Sequence, residues 1–258
     1  VSHEHFRVEK CSGQGNVEGV SSHDAVYEHG HRDVTGGWLR PAVFGAMDGL
    51  VSNLSLMAGI AGGSAAVGGG TTPIILAGLA GLAAGAFSMA AGEYTSVASQ
   101  AELAEQEFEN ERRELSRNPE SEARELAAIW SSRGVDRELA EQVALQLGRN
   151  PEAALEVHAR EELGMAPGEL PNPWLAAGSS FISFVVGAAI PLLPFLFGSA
   201  NFTWSLVLAL VGLFAAGALV SRVTAQTWWF SGLRQLFIGA LAAAVTFGIG
   251  SLVGTSLG

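Results

Sequence analysis

Apolar residues in this chain come in five long runs separated by polar or charged stretches. A helix needs roughly 20 mostly apolar residues to cross the hydrocarbon of a bilayer. The runs over residues 38–62, 73–97, 174–197, 202–220 and 233–257 meet that need. Gly68, Gly69 and Gly70 with Thr71, Thr72 and Pro73 part the first run from the second. Gly198-Ser199-Ala200-Asn201 parts the third from the fourth, and the stretch from Arg222 to Arg234 parts the fourth from the fifth. From Ser96 to Arg117 the helical pattern continues without Pro or Gly, so the second helix is predicted to run straight out of the membrane until Pro119 stops it. Shorter helices are predicted over 121–132, 136–147 and 151–163. Gly134, Gly148 and Gly164 serve as stops, and Asn150 before Pro151 as a capped start. The predicted fold is an all-α membrane protein with five transmembrane helices and a cytoplasmic helical module inserted between helices 2 and 3. Its segments are a tail (1–36), helices 1 and 2 (37–97), the module (98–170) and helices 3 to 5 (171–258).

Composition sharpens this picture. Of 258 residues, 48% are apolar and only 15% charged, against about 25% charged in soluble domains, which excludes a disordered or collagen-like chain. The single cysteine, Cys11, excludes an internal disulfide framework and a cysteine-built zinc site. A net charge of −11 argues against nucleic acid as a partner, since phosphate binding needs a basic footprint. The charges sit in blocks. Asp48 is the only ionisable side chain between Pro41 and Gly92, and Arg222 and Arg234 are the only ones after Pro171. Residues 93–170 hold 18 acidic and 8 basic side chains. Arg32, Arg40, the insert, Arg222 and Arg234 all fall on one side if the N-terminus is cytoplasmic and the C-terminus is not, which is the orientation that basic loops favour.

The tail lacks the apolar core of a signal peptide, so the first helix is expected to stay uncleaved. Rich in Gly, Ser and His, it is expected to be disordered and cytoplasmic. It carries five of the six histidines, His3, His5, His23, His29 and His31. It reads as a polar extension, with a low-affinity metal-gathering role as the alternative, because a disordered segment fixes no ligand geometry.

The chemistry is concentrated in a few residues. A carboxylate at bilayer depth is costly unless it faces a cavity, a partner or a pathway, and Asp48 sits between Gly45 and Gly49 with Ser52, Asn53 and Ser55 following. It is either a pathway ligand or a structural aspartate satisfied by another helix. Small residues recur along the second helix at three- and four-residue spacing, which suits close helix packing. Met89 and Glu93 are four apart and share a face. A thioether beside a carboxylate suits a transition metal better than magnesium or calcium, although a membrane methionine is commonly mere packing. Pro191 and Pro194 predict a kink or break in the third helix.

In the insert, Glu111 with Glu114 and Glu122 with Glu125 repeat a three-residue spacing that places each pair on one face, and His158 stands three and four residues before Glu161 and Glu162. Like charges so placed repel unless a cation lies between them. Oxygen ligands with one imidazole suit manganese or ferrous iron, and no thiolate is present to favour zinc. The competing explanation is a solvated, salt-bridged helix face, because Arg112, Arg113, Arg117 and Arg124 are interleaved.

Several of these segments together resemble the vacuolar iron transporter family. They are Gly45-Ala-Met-Asp-Gly-Leu-Val-Ser, Gly85-Ala-Phe-Ser-Met-Ala-Ala-Gly-Glu-Tyr, the insert closing on Glu161-Glu162-Leu-Gly, and Gly187-Ala-Ala-Ile-Pro-Leu-Leu-Pro. The similarity covers about Leu39 to Val253 and is greatest to the bacterial branch, which has the Gly-Glu-Tyr ending. The resemblance implies a homodimer with five membrane helices per chain that moves ferrous iron, often also manganese, out of the cytoplasm in exchange for protons. It implies a path at the dimer interface using Asp48 and Met89, and a metal-gathering module using Glu111, Glu114, Glu122, Glu125 and Glu162. Two positions depart from the plant-type pattern. Gly81 stands where that pattern has a glutamate, which removes a proton carrier and leaves Glu93 as the candidate replacement. His158 and Ala159 stand where it has a methionine pair, a change expected to favour manganese.

The resulting expectation is a proton-coupled exporter of Fe²⁺ or Mn²⁺ with no resident cofactor, embedded in lipid. The alternative is a membrane-anchored scaffold whose acidic module binds a basic protein. The sequence offers no His-Glu-x-x-His, no Gly-x-Ser-x-Gly and no phosphate-cradling loop, so an enzyme is not expected. Abundant Ala, Gly and Arg with few Lys point to a bacterial source and hence the plasma membrane.

Overall fold

The computed structural model describes residues 37–199, 201–222 and 226–257. The tail over 1–36, with its expected disorder and its five histidines, lies outside the described residues. Among those described there is no strand. Five helical segments are long and apolar enough to cross a membrane.

Helix α1 (Leu39–Ala66) is the hub of the membrane part and packs against every other spanning helix. α2 (Thr72–Arg117) is unbroken over 46 residues, about 69 Å at 1.5 Å per residue, far longer than a hydrocarbon layer of about 30 Å. Its first half is apolar and its second half is charged, so the same helix that crosses the bilayer projects well beyond it, as the absence of Pro and Gly after Ser96 predicts. The third span is interrupted at the predicted place. α6 (Pro173–Ala189) ends in a single 3₁₀ turn at Ile190–Leu192, and α7 (Leu193–Leu196) completes the crossing. Pro191 and Pro194 have no N–H to continue the α-helical ladder. α8 (Phe202–Val220) starts on the Asn201 side chain, which accepts from the Thr203 N–H. α9 (Trp228–Leu257) starts five residues before the apolar run that predicted it, since Trp228, Trp229 and Phe230 extend the helix as the aromatic belt common at membrane surfaces.

Close backbone approach sets the packing of α1 on α6. A Cβ on Gly45 would stand 2.6 Å from the Ser180 carbonyl oxygen, and one on Gly49 would stand 2.9 Å from the Ala188 nitrogen. The two glycines flanking Asp48 are therefore the contact surface that brings α6 against this turn of α1.

Between α2 and α6 lie α3 (Pro119–Ser132), α4 (Arg137–Leu147) and α5 (Pro151–Glu162). Asn118, at φ −136° and ψ 54°, has left the helical region that a following proline disfavours, and so separates α2 from α3. Asp136 caps α4 through the N–H groups of Glu138 and Leu139, and Asn150 caps α5 through Ala153. Gly134 and Gly164 take φ of +97° and +73° as helix stops, whereas Gly148 stays in the helical region. Ala123, Leu126, Ala127, Ala140 and Ala144 make the core between α3 and α4. Ala159 seals α5 onto Ala104 and Phe108 of α2.

Candidate functional site

Two sites share α2. The first lies at membrane depth. Asp48 is nine residues into α1, about 13 Å along its axis. It borders a cavity of about 230 Å³ together with Ser52, Asn53, Leu56, Gly81, Gly85, Ser88, Met89 and Phe184. Asp48 and Met89, the pair that the family resemblance implies, therefore border one cavity, contributed by α1 and α2 with Phe184 of α6 as its wall, whereas the Met89–Glu93 pair read from spacing does not meet there. No described residue forms an ion pair or a hydrogen bond with the Asp48 carboxylate, so the arginine or hydroxyl of a structural aspartate is missing here. Glu93, half-buried one turn beyond Met89, is not among the cavity-lining residues.

The second site lies where α2, α3 and α5 converge beyond the apolar part of α2. Ligand atoms of Glu111, Glu122 and His158 all fall within 4.8 Å of one another. His158, only 2% exposed, places Nδ1 3.1 Å from Glu111 Oε1 and 3.1 Å from Glu162 Oε1. Glu122 is 6% exposed. Glu111 Oε1 is itself buried and accepts no hydrogen bond. Its contact with His158 is short in distance but out of line for a hydrogen bond. Glu107, Asn110, Glu114 and Glu162 help to line a polar pit beside Glu111.

Electrostatics mark the cluster as strained in the absence of a cation. Burial, and after it the neighbouring Glu162, push the Glu111 carboxyl up from 4.5 to about 7, against the opposing effect of His158. Glu122 is also raised, first by burial and then by Glu125. Glu114 adds to both shifts. The i,i+3 pairs thus divide their labour, with Glu111 and Glu122 in the cluster and the exposed Glu114 and Glu125 at its rim.

The interleaved arginines do not neutralise these groups. Arg112 pairs with Glu109, Arg137 with Glu141, and Arg160 with Glu156 and Glu169. Arg113 bonds Asn110 and the Glu109 carbonyl, and Arg124 bonds the Glu120 carbonyl. Among the described residues, no arginine pairs with Glu111, Glu114, Glu122, Glu125 or Glu162. Glu161 differs from its neighbour. It accepts from Trp130 Nε1 at 3.1 Å and pairs with Arg133. The Trp130 bond leads the interactions that hold its carboxyl below the usual range. Glu161→Gln is accordingly expected to loosen α5 from α3 and lower the melting temperature by a few degrees, with metal affinity within about twofold of wild type. Calorimetry with and without Mn²⁺ checks both.

Sequence reasoning did not single out Trp130 and Arg133, which hold Glu161, nor Ser88 and Phe184 in the membrane cavity. A tryptophan and an arginine near the end of α3 carry no pattern of their own, and Phe184 reads as ordinary membrane filling. Asn53 was visible only as part of a polar run.

Five membrane-length helices, three of them lining the cavity that holds Asp48, with a carboxylate–imidazole cluster where the extension of α2 meets α3 and α5, define a multi-pass membrane protein of the transporter class. Residues 39–251 match the model of the VIT family, and the chain belongs to that family. A vacuolar iron transporter of Acanthamoeba castellanii is 37% identical over 223 residues, covering 84% of this chain and 79% of that protein. Vacuolar iron transporter 2 of Oryza sativa subsp. japonica is 34% identical over 230 residues, 88% of this chain and 92% of its own. Vacuolar iron transporter 1 of Arabidopsis thaliana is 33% identical over 232 residues, 87% and 90% respectively. Membership places the chain among transporters and not among enzymes.

Proposed function

We propose that this protein exports divalent iron or manganese from the cytoplasm in exchange for protons. The observation that carries the reading is the Glu111, Glu122 and His158 cluster, buried and unpaired with arginine, whose Glu111 is on the helix that also carries Met89 into the Asp48 cavity. The clusters are about 33 Å apart along α2. The names of the relatives support iron as cargo.

The chemistry follows from desolvation. A divalent ion sheds water in steps, first against the carboxylates of Glu111 and Glu122 and the imidazole of His158, with Glu114, Glu125 and Glu162 around them. Glu161 stays at the edge of this set, engaged with Trp130 and Arg133. One imidazole among oxygens suits manganese and ferrous iron alike. In the membrane the ion then exchanges more of its shell for Asp48 and Met89, and protonation of Asp48 or Glu93 from the far side releases it. The module faces the cytoplasm with both termini placed as the arginines indicate, in a plasma membrane. Two chains pair through α2, whose outward face exposes Leu76, Leu79 and Phe87 among small residues.

The test is Mn²⁺ or Fe²⁺ uptake by proteoliposomes holding the full chain under an imposed pH gradient. Uptake that follows the gradient and collapses with a protonophore is expected. Failure of both metals to enter at any gradient rejects export. A basic-partner scaffold instead predicts no metal effect on the melting of the full chain.

A further inference from the structure

Asn53 is 1% exposed, five residues past Asp48 on α1. Its Nδ2 donates to the Ala188 carbonyl at 2.7 Å, across 135 residues of sequence. That acceptor is available because Pro191 lacks the N–H that a 3₁₀ turn would offer to the carbonyl three residues back. Ser205 Oγ donates to the Pro191 carbonyl and holds the turn in place. A carbonyl can only accept, so the nitrogen of the Asn53 amide must lie on the α6 side and its oxygen on the other. That oxygen is buried and accepts no hydrogen bond. It faces Gly81 of α2, where a Cβ would stand 2.8 Å from it. Asn53, Gly81, Asp48 and Met89 line the same cavity.

An orphaned amide oxygen in a low-dielectric setting costs free energy until a hydrogen-bond donor or a cation satisfies it. Taking Asp48 and Met89 as the ion path proposed above, we infer that Asn53 Oδ1 is a third ligand of the ion in the membrane, a neutral oxygen held in place by the proline break and uncovered by the glycine at position 81. The site then carries one formal negative charge, one amide oxygen and one thioether. The amide oxygen adds a second hard donor beside the carboxylate, and without it one hard oxygen and one soft sulfur remain, a balance shifted toward softer ions.

Two substitutions test this from opposite sides in proteoliposomes of the full chain. Asn53→Leu removes the oxygen. Gly81→Ala keeps the Asn53 amide but sets a methyl against its oxygen and against the end of the Leu56 side chain, and touches neither Asp48 nor Met89. For each variant the half-saturating concentration is measured for Mn²⁺ and for the softer Cd²⁺. Both variants are expected to raise that of Mn²⁺ about tenfold, the scale of one polar contact, and to change that of Cd²⁺ much less. If Asn53 merely braces α1 on α6, Asn53→Leu lowers the melting temperature while Gly81→Ala keeps the wild-type ratio of the two metals, which overturns the inference. An equal slowing of both metals, as a simple plug would cause, overturns it too. Asp48→Asn, run alongside, separates the failures. If it is inactive while the ratio stays unchanged, only the Asn53 role is lost; if it transports normally, the path itself is misplaced and the Asn53 role falls with it.

Discussion

Asp48→Asn is expected to cut metal uptake by the reconstituted full chain at least about 100-fold while leaving the protein as stable as before, or slightly more so. The substitution keeps shape and removes charge. In a low-dielectric cavity, taking away the one anion that faces a cation leaves that cation uncompensated, at a cost of about 3–5 kcal/mol, and each 1.4 kcal/mol is about tenfold. Asp48 is the only ionisable side chain between Pro41 and Gly92, so no neighbour on α1 or the apolar half of α2 replaces it. Stability moves the other way because an unpaired carboxylate at bilayer depth is a liability to the empty protein. Structural aspartates behave oppositely, losing stability when neutralised. Uptake rates under a fixed pH gradient and melting curves in detergent give the two readouts, and uptake within threefold of wild type removes Asp48 from the path. Met89→Leu conserves volume and removes only a weak ligand, so its loss is smaller and falls hardest on soft ions.

The architecture was readable because each constraint behind it is local. Lipid demands long apolar runs, and all five appear as helices within a few residues of their expected ends. Asn150, Gly134 and Gly164 acted as the cap and stops that their side chains or lack of one dictate. The site was readable as a set of residue types but not as a geometry. Glu161 and Glu162 are adjacent and indistinguishable in pattern, since three and four residues past His158 both lie on its helix face, yet only one of them bonds it. Which one it is depends on Trp130 and Arg133, some thirty residues earlier, claiming Glu161. The same holds for Asn53. Its polarity is plain in the sequence, but the orphaned oxygen exists only because a proline far along the chain frees the Ala188 carbonyl. Spacing reports which residues share a helix face, and tertiary contacts decide which face is buried.

The cluster of Glu111, Glu122 and His158 gives a sign that ordinary acidic helices do not. In the empty protein Glu111 titrates near 7 instead of 4.5. Between those values the folded state keeps a proton that the unfolded state has released, so stability falls as pH rises through this window and the full penalty stands above it. The raised Glu122 carboxyl acts in the same direction. Wild type without metal is therefore expected to melt at a higher temperature at pH 5 than at pH 8, and the double variant Glu111→Gln with Glu122→Gln to lose most of that slope and be the more stable protein at pH 8. A bound cation reverses the order. It stabilises the folded state by about 2.7 kcal/mol when present at 100 times its dissociation constant, but at low pH it must first displace protons from the same oxygens. Mn²⁺ should thus raise the melting temperature of wild type strongly at pH 8 and weakly at pH 5, with proton release on binding largest below pH 7. The double variant, left with one imidazole and rim carboxylates, should bind at least about 100-fold more weakly, the consequence of removing two charged ligands at about 1.5–3 kcal/mol each. Melting of the full chain across pH 5 to 8, with and without Mn²⁺, measures all of these. If the empty protein grows more stable from pH 5 to 7, or if Mn²⁺ protects the double variant as well as wild type, the carboxylates of α2 and α3 are a solvated surface and not a place where metal is gathered.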